Sequence, residues 1–244
     1  LERLRFASLG YSFHSCWCRE VLWGCVIGAL MILLVVLLQV IGGGTQVSFN
    51  PTWSLNIAYA LKNLCLASLL LVVAAAFEEI VFRGYVFQTL LRDVPAWLPI
   101  ILLSLFFGLA HWSNPSRTTF SIINTVLAGV WLAVAYLKTH SLWFPTALHF
   151  SWNWTMGLFF GLPVSGLPLG PSVLTATSEA PLWLTGGSYG SEGGVAATVV
   201  FALATILIWR VKWLCVASEI ELAWPRNEIA PETTLKLGLN QNPD

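Results

Sequence analysis

The most constraining feature of this 244-residue chain is a series of long apolar runs that carry almost no charge. The first run, Val21 to Ile41, has no charged residue and is long enough to cross a lipid bilayer. Charged side chains make up 10% of the chain, less than half the usual share in a soluble domain. So few charges could not cover a soluble globule of this size. The sequence therefore predicts a polytopic membrane protein, and it excludes a soluble enzyme, a basic nucleic-acid binder and a disordered chain.

The apolar runs predict an all-α bundle of about six transmembrane helices plus an interfacial segment, in one domain over residues 1–225. The predicted crossings are Val21–Ile41, Leu64–Leu91, Trp97–Trp112, Phe120–Leu137, Leu142–Phe160 and Val195–Trp213. The second run is predicted to be a single helix, although it contains one glycine. A loop rich in Gly, Pro, Ser and Thr over residues 161–194 is predicted to be either a linker or a roof over the bundle. A polar tail follows over residues 226–244.

The placement of Lys and Arg predicts the orientation of this bundle in the membrane. With six crossings, ten of the twelve basic residues lie on the side that holds both chain ends, and only Lys62 and Arg117 lie on the other. Basic loops stay in the cytoplasm, so both termini are predicted to be cytoplasmic. The five cysteines form no paired motif and are predicted to be reduced packing residues. His14 and His140, near a terminus and a turn, are predicted to be solvated.

A few polar side chains interrupt the apolar runs, and such residues are costly in a membrane and usually functional. Glu78 and Glu79 lie about sixteen residues before the turn of a helical hairpin, and His111 lies about sixteen after it, so all three reach a similar depth. His149 and Asn153, one helical turn apart, follow a second turn on the same side. These groups are predicted to converge in one buried site.

Spacing within each helix predicts how the groups pair. Glu79 and Arg83 are four residues apart and can form an ion pair on one helix face, which leaves Glu78 free. Phe107 precedes His111 by one turn and can pack against it. A free carboxylate beside imidazoles suits a general base for hydrolysis by water.

The residue types then predict a division of roles. Glu78 would take a proton from water, and His111 would position or polarise that water. His149 and Asn153 would donate hydrogen bonds to the oxyanion of the tetrahedral intermediate. Alternatively, Glu78, His111 and His149 could hold a zinc ion with one open position. No HExxH sequence is present, and zinc and a metal-free glutamate mechanism stay equally open.

Three short motifs occur in a fixed order along the chain: Glu78-Glu79-x-x-x-Arg83, then Phe107-x-x-x-His111, then His149-x-x-x-Asn153. In this order and this membrane setting they resemble the CPBP family, which comprises the type II CAAX prenyl endopeptidases and related bacteriocin-processing and immunity proteins. The resemblance covers about residues 60–160. The loop sequence Trp183–Gly187 is similar to a bacterial subgroup of the family.

The resemblance implies an intramembrane endopeptidase with a polar cavity open to the cytosol, acting on a membrane-associated protein or peptide. It implies catalytic roles for Glu78, His111, His149 and Asn153, with Glu79 and Arg83 in support. It also implies a metalloprotease or a glutamate-type hydrolase in a bacterial cytoplasmic membrane, with lipid and a peptide substrate as partners and no nucleic acid. The alternative is a catalytically silent bacteriocin-immunity or membrane scaffold protein of the same fold. A small proton-coupled transporter is a third candidate, although no internal repeat is evident.

Overall fold

The computed structural model describes residues 9–43, 45–178 and 181–214, and these residues are mostly helical. The helices are α1 (Trp17–Gly43), α2 (Thr52–Leu55), α3 (Ile57–Arg83), α4 (Tyr85–Asp93), α5 (Trp97–Ala110), α6 (Thr119–Thr139), α7 (Trp143–Trp154), α8 (Leu182–Thr185) and α9 (Val195–Arg210). A π-helical turn, Thr155–Phe159, continues α7. The strands are β1 (Thr45–Phe49) and β2 (Leu174–Ser178). The predicted polar tail lies outside the described residues.

Three segments are long and apolar enough to cross a membrane: α1, the stretch Ile57–Asp93 that contains α3 and α4, and α6. Helices α5 and α9 are apolar but shorter. These segments indicate an integral membrane protein, as the composition predicts. The count of six crossings and the cytoplasmic location of both termini stay predictions.

The single helix predicted over Leu64–Leu91 is wrong at Gly84, where α3 ends and α4 begins. The Gly84 backbone leaves the helical region, with φ −78° and ψ −132°. A side chain built there would bring its Cβ to 2.2 Å from the carbonyl oxygen of Ile80, so this close approach requires glycine. Helix α3 also starts earlier than predicted, because the side chain of Asn56 accepts a hydrogen bond from the Tyr59 amide and caps its first turn.

A small antiparallel sheet corrects the all-α prediction. Strand β1 pairs with β2 from Thr45 opposite Ser178 to Phe49 opposite Leu174. The two strands are short and far apart in sequence, so no local hairpin pattern predicts that they pair. The sheet ties the end of α1 to the loop over residues 161–194.

Helix α7 is buried on most sides, and α1 lies directly against it. Two glycines of α1 allow this close approach: a Cβ at Gly24 would lie 2.6 Å from Cβ of Ala147, and one at Gly28 would lie 2.1 Å from Oγ of Ser151. Small residues four apart are the usual means of bringing membrane helices together. The contact fixes the position of α7, on which His149 lies.

The loop over residues 161–194 is docked against the bundle through Glu192. Its carboxylate accepts hydrogen bonds from Nε1 of Trp152 at 2.9 Å and from the amide and hydroxyl of Ser165 at 2.9 and 2.7 Å. Its backbone carbonyl accepts from Nδ2 of Asn124 on α6 at 2.7 Å. The loop is therefore held to both α6 and α7, more firmly than a plain linker would be.

Two predictions about residues just before α1 are wrong: that His14 is solvated and that Cys16 is reduced. His14 is buried rather than solvated, with Nε2 3.3 Å from Oε1 of Glu20, because the segment before α1 folds back onto the bundle. His140 is half-buried. Cys18, Cys25 and Cys65 are free thiols as predicted, but Cys18 and Cys65 are exposed rather than packed in the bundle, and Cys16 is disulfide-bonded. Cys215 lies outside the described residues.

Candidate active site

The predicted ion pair between Glu79 and Arg83 is present and buried. Nη1 of Arg83 donates to Oε1 of Glu79 at 3.0 Å, and the two side chains are 2% and 0% exposed. Nη2 of Arg83 donates to the carbonyl oxygen of Gly129 on α6, also at 3.0 Å. A buried ion pair is costly to desolvate and is weak evidence for stability alone. Because Arg83 on α3 also bonds to the Gly129 carbonyl, it connects α3 to α6 and fixes the rotation of α3 about its own axis.

His149 joins this pair from α7, a contact that the sequence analysis did not predict. Its Nδ1 lies 3.0 Å from Oε1 of Glu79. An ionised carboxylate can only accept, so the Nδ1 atom carries the proton and the Nε2 atom faces away from Glu79. Glu79 thus orients the imidazole as well as neutralising Arg83.

Glu78 occupies a different environment from its neighbour in sequence. Its side chain is 30% exposed, and its Oε2 lies 3.8 Å from Nε2 of His149, too far for a hydrogen bond. That Oε2 atom is itself buried and accepts no hydrogen bond from the described residues. Its hydrogen-bonding capacity is therefore not used by any side chain in the described part of the protein.

His111 lies just beyond the last residue of α5, next to the ring of Phe107. Its Nδ1 lies 2.7 Å from the carbonyl oxygen of Phe107, which assigns the proton to Nδ1 and leaves Nε2 free. The predicted packing of the two rings is present, with centroids 4.7 Å apart. Phe107 also packs edge-on toward His149 and lies under the guanidinium of Arg83, with the ring centroid 4.7 Å from Cζ. One aromatic ring thus connects the second and third motifs to the ion pair.

Asn153 lies one turn after His149 on α7 and is half-buried. Its side chain makes no hydrogen bond with any other residue in the described ranges. The carboxamide is therefore uncommitted. A π-helical turn begins two residues later, and such turns occur frequently at functional sites.

The predicted zinc ligands are not gathered into a metal site. Across the described ranges, no group of three or more His, Cys, Asp or Glu side chains is arranged to hold a metal ion. His149 directs Nδ1 at Glu79 and His111 directs Nδ1 at a backbone carbonyl, which leaves Nε2 of each ring as the nitrogen that could bind water or a metal ion.

The structure brings together Glu78, Glu79, Arg83 and His149, and it places His111 one ring away. Sequence reasoning missed two partners. The first is the Gly129 carbonyl, a backbone group that no pattern of side chains in the sequence could indicate. The Glu79 to His149 contact joins residues 70 positions apart, and only the convergence in depth pointed toward it.

A carboxylate, a guanidinium and an imidazole are buried together among apolar helices, and ionisable groups in such a place usually mark a functional site. Residues 60–155 match the family model described as type II CAAX prenyl endopeptidase Rce1-like. This part of the chain is therefore a domain of the Rce1-like type II CAAX prenyl endopeptidase (CPBP) family, which confirms the predicted resemblance. The match contains all three motifs. Comparisons with curated proteins and with solved structures found no match.

Proposed function

We propose that this protein is an intramembrane endopeptidase that hydrolyses a peptide bond of a membrane-associated protein or peptide with a glutamate-activated water. We place it in a bacterial cytoplasmic membrane with both termini in the cytosol, where a polar cavity would admit water. Membership of an endopeptidase family supports the reaction class. The prenylated substrates in the family's name are not carried over to this chain.

The observation that carries the proposal is the difference in environment between two carboxylates that are adjacent in sequence, Glu78 and Glu79. Glu79 is fully buried and committed to Arg83 and His149. Glu78 is partly exposed, and it has one buried oxygen without a partner beside the His149 ring. A scaffold would have no reason to keep a second carboxylate uncommitted, whereas hydrolysis requires one that can take a proton.

The first step is attack by water. A water bound between Glu78 and Nε2 of His111 gives one proton to the Glu78 carboxylate. The water oxygen bonds to the carbonyl carbon of the scissile peptide, and the carbonyl π electrons move onto oxygen. His111 is suited to orient this water because its Nδ1 is committed to the Phe107 carbonyl and its Nε2 accepts.

The second step is collapse of the tetrahedral intermediate. After the first step Glu78 is neutral and the charges of Glu79 and Arg83 cancel, so a protonated His149 balances the negative charge of the oxyanion. That imidazolium presents Nε2–H to the oxyanion, and the free carboxamide of Asn153 supplies a second donor. When the C–N bond breaks, Glu78 returns its proton to the leaving amine, so one water is consumed and an acid and an amine are released.

The test is cleavage by purified protein in detergent and in lipid vesicles, with Glu78→Gln and Asp93→Asn beside the parent. Asp93 is an exposed carboxylate at the end of α4 and serves as the matched control. The substrates are prenylated and unprenylated peptides, with products identified by mass spectrometry. We expect the parent and Asp93→Asn to cut, and Glu78→Gln to lose at least about 100-fold in kcat.

Two outcomes contradict the proposal. Equal cleavage by Glu78→Gln would remove Glu78 as the base. A folded parent that cuts no peptide in either setting would favour the silent immunity or scaffold alternative. Bound zinc is measured on the same samples, since stoichiometric zinc lost in Glu78→Gln would contradict the metal-free mechanism.

A further inference from the structure

The segment Leu9–His14, here called the N-terminal strap, lies outside the family match and crosses the ends of the helices that carry the site. The carbonyl oxygen of Gly10 accepts from the Leu142 amide at 2.9 Å. The carbonyl oxygen of Ser12 accepts from Nε1 of Trp143 at 3.0 Å. These bonds hold the strap against the start of α7.

A single side chain ties the strap to the end of α3 as well. Nε2 of Gln88 on α4 donates to the carbonyl oxygen of Leu9 at 2.8 Å and to that of Arg83 at 3.2 Å. The strap is therefore fixed to the two helices whose side chains meet in the Glu79 to His149 contact.

Tyr11 is the residue of the strap that contacts α7 one turn before His149. Its hydroxyl lies 2.6 Å from Oγ1 of Thr146, and its ring packs edge-on against Trp143 with centroids 5.0 Å apart. Thr146 precedes His149 by three residues, so both lie on the same face of α7. The Tyr11 hydroxyl thus lies one helical turn from the His149 side chain.

The Glu79 carboxylate acts on Tyr11 electrostatically. Burial raises the pKa of Tyr11, the hydrogen bond with Thr146 lowers it, and the nearby Glu79 charge raises it further. The second oxygen of Glu79, Oε2, is buried and has no hydrogen-bond partner among the described residues. The Tyr11 and Thr146 hydroxyls share two hydrogens, and their mutual bond uses one. The other hydrogen remains to be donated, and an unpartnered buried acceptor costs about 1–3 kcal/mol.

We propose that Tyr11 is a positioning residue for the Glu79 to His149 pair, and that the Tyr11–Thr146 hydroxyl pair supplies, through one bridging water, the donor that Oε2 of Glu79 lacks. Tyr11 does not touch the scissile bond. It holds the carboxylate so that the His149 ring keeps its orientation. Only the kinetic part of this inference depends on the proposed protease function.

The direct test is spectroscopic and requires no substrate. The Nδ1 proton of His149 is observed by NMR of the full chain in detergent with ¹⁵N-labelled histidine, and its signal is assigned by its loss in His149→Gln. In Tyr11→Phe, Oε2 loses its donor, so Oε1 becomes a stronger acceptor and the Nδ1 proton signal moves downfield. Thr146→Val is expected to move it in the same direction, and Thr146→Ser, which keeps the hydroxyl, restores the parent position.

Tyr85→Phe is the matched control, since Tyr85 is an exposed tyrosine in α4 whose hydroxyl has no hydrogen bond among the described residues. It is expected to leave the His149 signal where it is in the parent. An unchanged signal in both Tyr11→Phe and Thr146→Val would overturn the inference. Because Thr146→Val leaves the strap's aromatic contacts in place, it also serves if Tyr11→Phe does not fold.

The kinetic test separates this inference from the proposed function. We expect Tyr11→Phe to lower kcat roughly 3- to 10-fold with KM unchanged, the size of one lost hydrogen bond. A His149 signal that shifts in Tyr11→Phe, together with a parent protein that cuts no peptide, would support the positioning role and contradict the proposed protease function. A parent protein that cuts peptides, together with an unshifted His149 signal in both Tyr11→Phe and Thr146→Val, would support the protease function and overturn the positioning role.

Discussion

Oε1 of Glu79 lies 3.0 Å from Nδ1 of His149, and this contact joins α3 to α7 at the centre of the protein. The same oxygen accepts from Arg83, so one atom connects the first motif to the third. The adjacent Glu78 is left outside this arrangement. The two carboxylates are therefore expected to respond differently to the same substitution.

We expect Glu79→Gln to lower the free energy of unfolding by about 3–5 kcal/mol, because it leaves the Arg83 charge buried without a counter-charge. Glu78→Gln is its matched control. It removes a charge that has no hydrogen-bond partner and is expected to change the stability by less than about 1 kcal/mol. Thermal unfolding in detergent measures both, and a larger loss in Glu78→Gln than in Glu79→Gln would contradict the assignment.

Asn153→Ala is expected to lower kcat by roughly 100- to 1000-fold, the effect of removing one oxyanion donor. The free energy of unfolding of this variant is expected to stay within about 0.5 kcal/mol of the parent's, because the Asn153 carboxamide makes no hydrogen bond in the described part of the chain. Peptide cleavage rates and thermal unfolding provide the two measurements. An active but unstable variant would indicate that Asn153 holds helices together instead.

Glu192→Ala is expected to destabilise the protein on the order of 3 kcal/mol. The Trp152 indole and the Ser165 amide and hydroxyl would lose their common acceptor. We also expect faster cutting by an added protease within residues 161–194, since the loop would leave α7. Ser188→Ala, at an exposed position of the same loop, is the control. An intact loop in Glu192→Ala would show that the remaining contacts, such as the sheet and the bond from Asn124 to the residue 192 carbonyl, are enough to hold it.

Gly28→Val is expected to separate α1 from α7, because even its Cβ would lie 2.1 Å from Oγ of Ser151 and 2.6 Å from the Leu148 carbonyl oxygen. Overpacking of this kind costs about 1–3 kcal/mol. Leu30→Val, on the exposed face of α1, is expected to be neutral. Unfolding temperatures of the two variants test the prediction, and equal values would mean that α1 can shift without cost.

The parts of the site that could be predicted are those within one helix. Glu79 and Arg83, and likewise Phe107 and His111, are four residues apart, and the helical repeat alone places such pairs side by side. The break at Gly84 was missed because a lone glycine is tolerated in a helix, and the approach to the Ile80 carbonyl that requires it has no sequence signature.

The sequence by itself determined that the chain enters a membrane, where its apolar runs lie, and which few polar side chains interrupt them. Hydrophobicity and helical spacing are local properties, so the order of residues suffices to specify them. Only the tertiary structure decided that Glu79 serves His149 as well as Arg83, that Gly129 accepts from Arg83, and that Thr45 pairs opposite Ser178. Those contacts join residues 46 to 133 positions apart, and they depend on how helices rotate and approach when they pack. That rotation is decided by the whole set of packing contacts together, which is why the spacing could predict that Glu79 pairs with Arg83 and leaves Glu78 free, but not that His149 and the Gly129 carbonyl complete the arrangement.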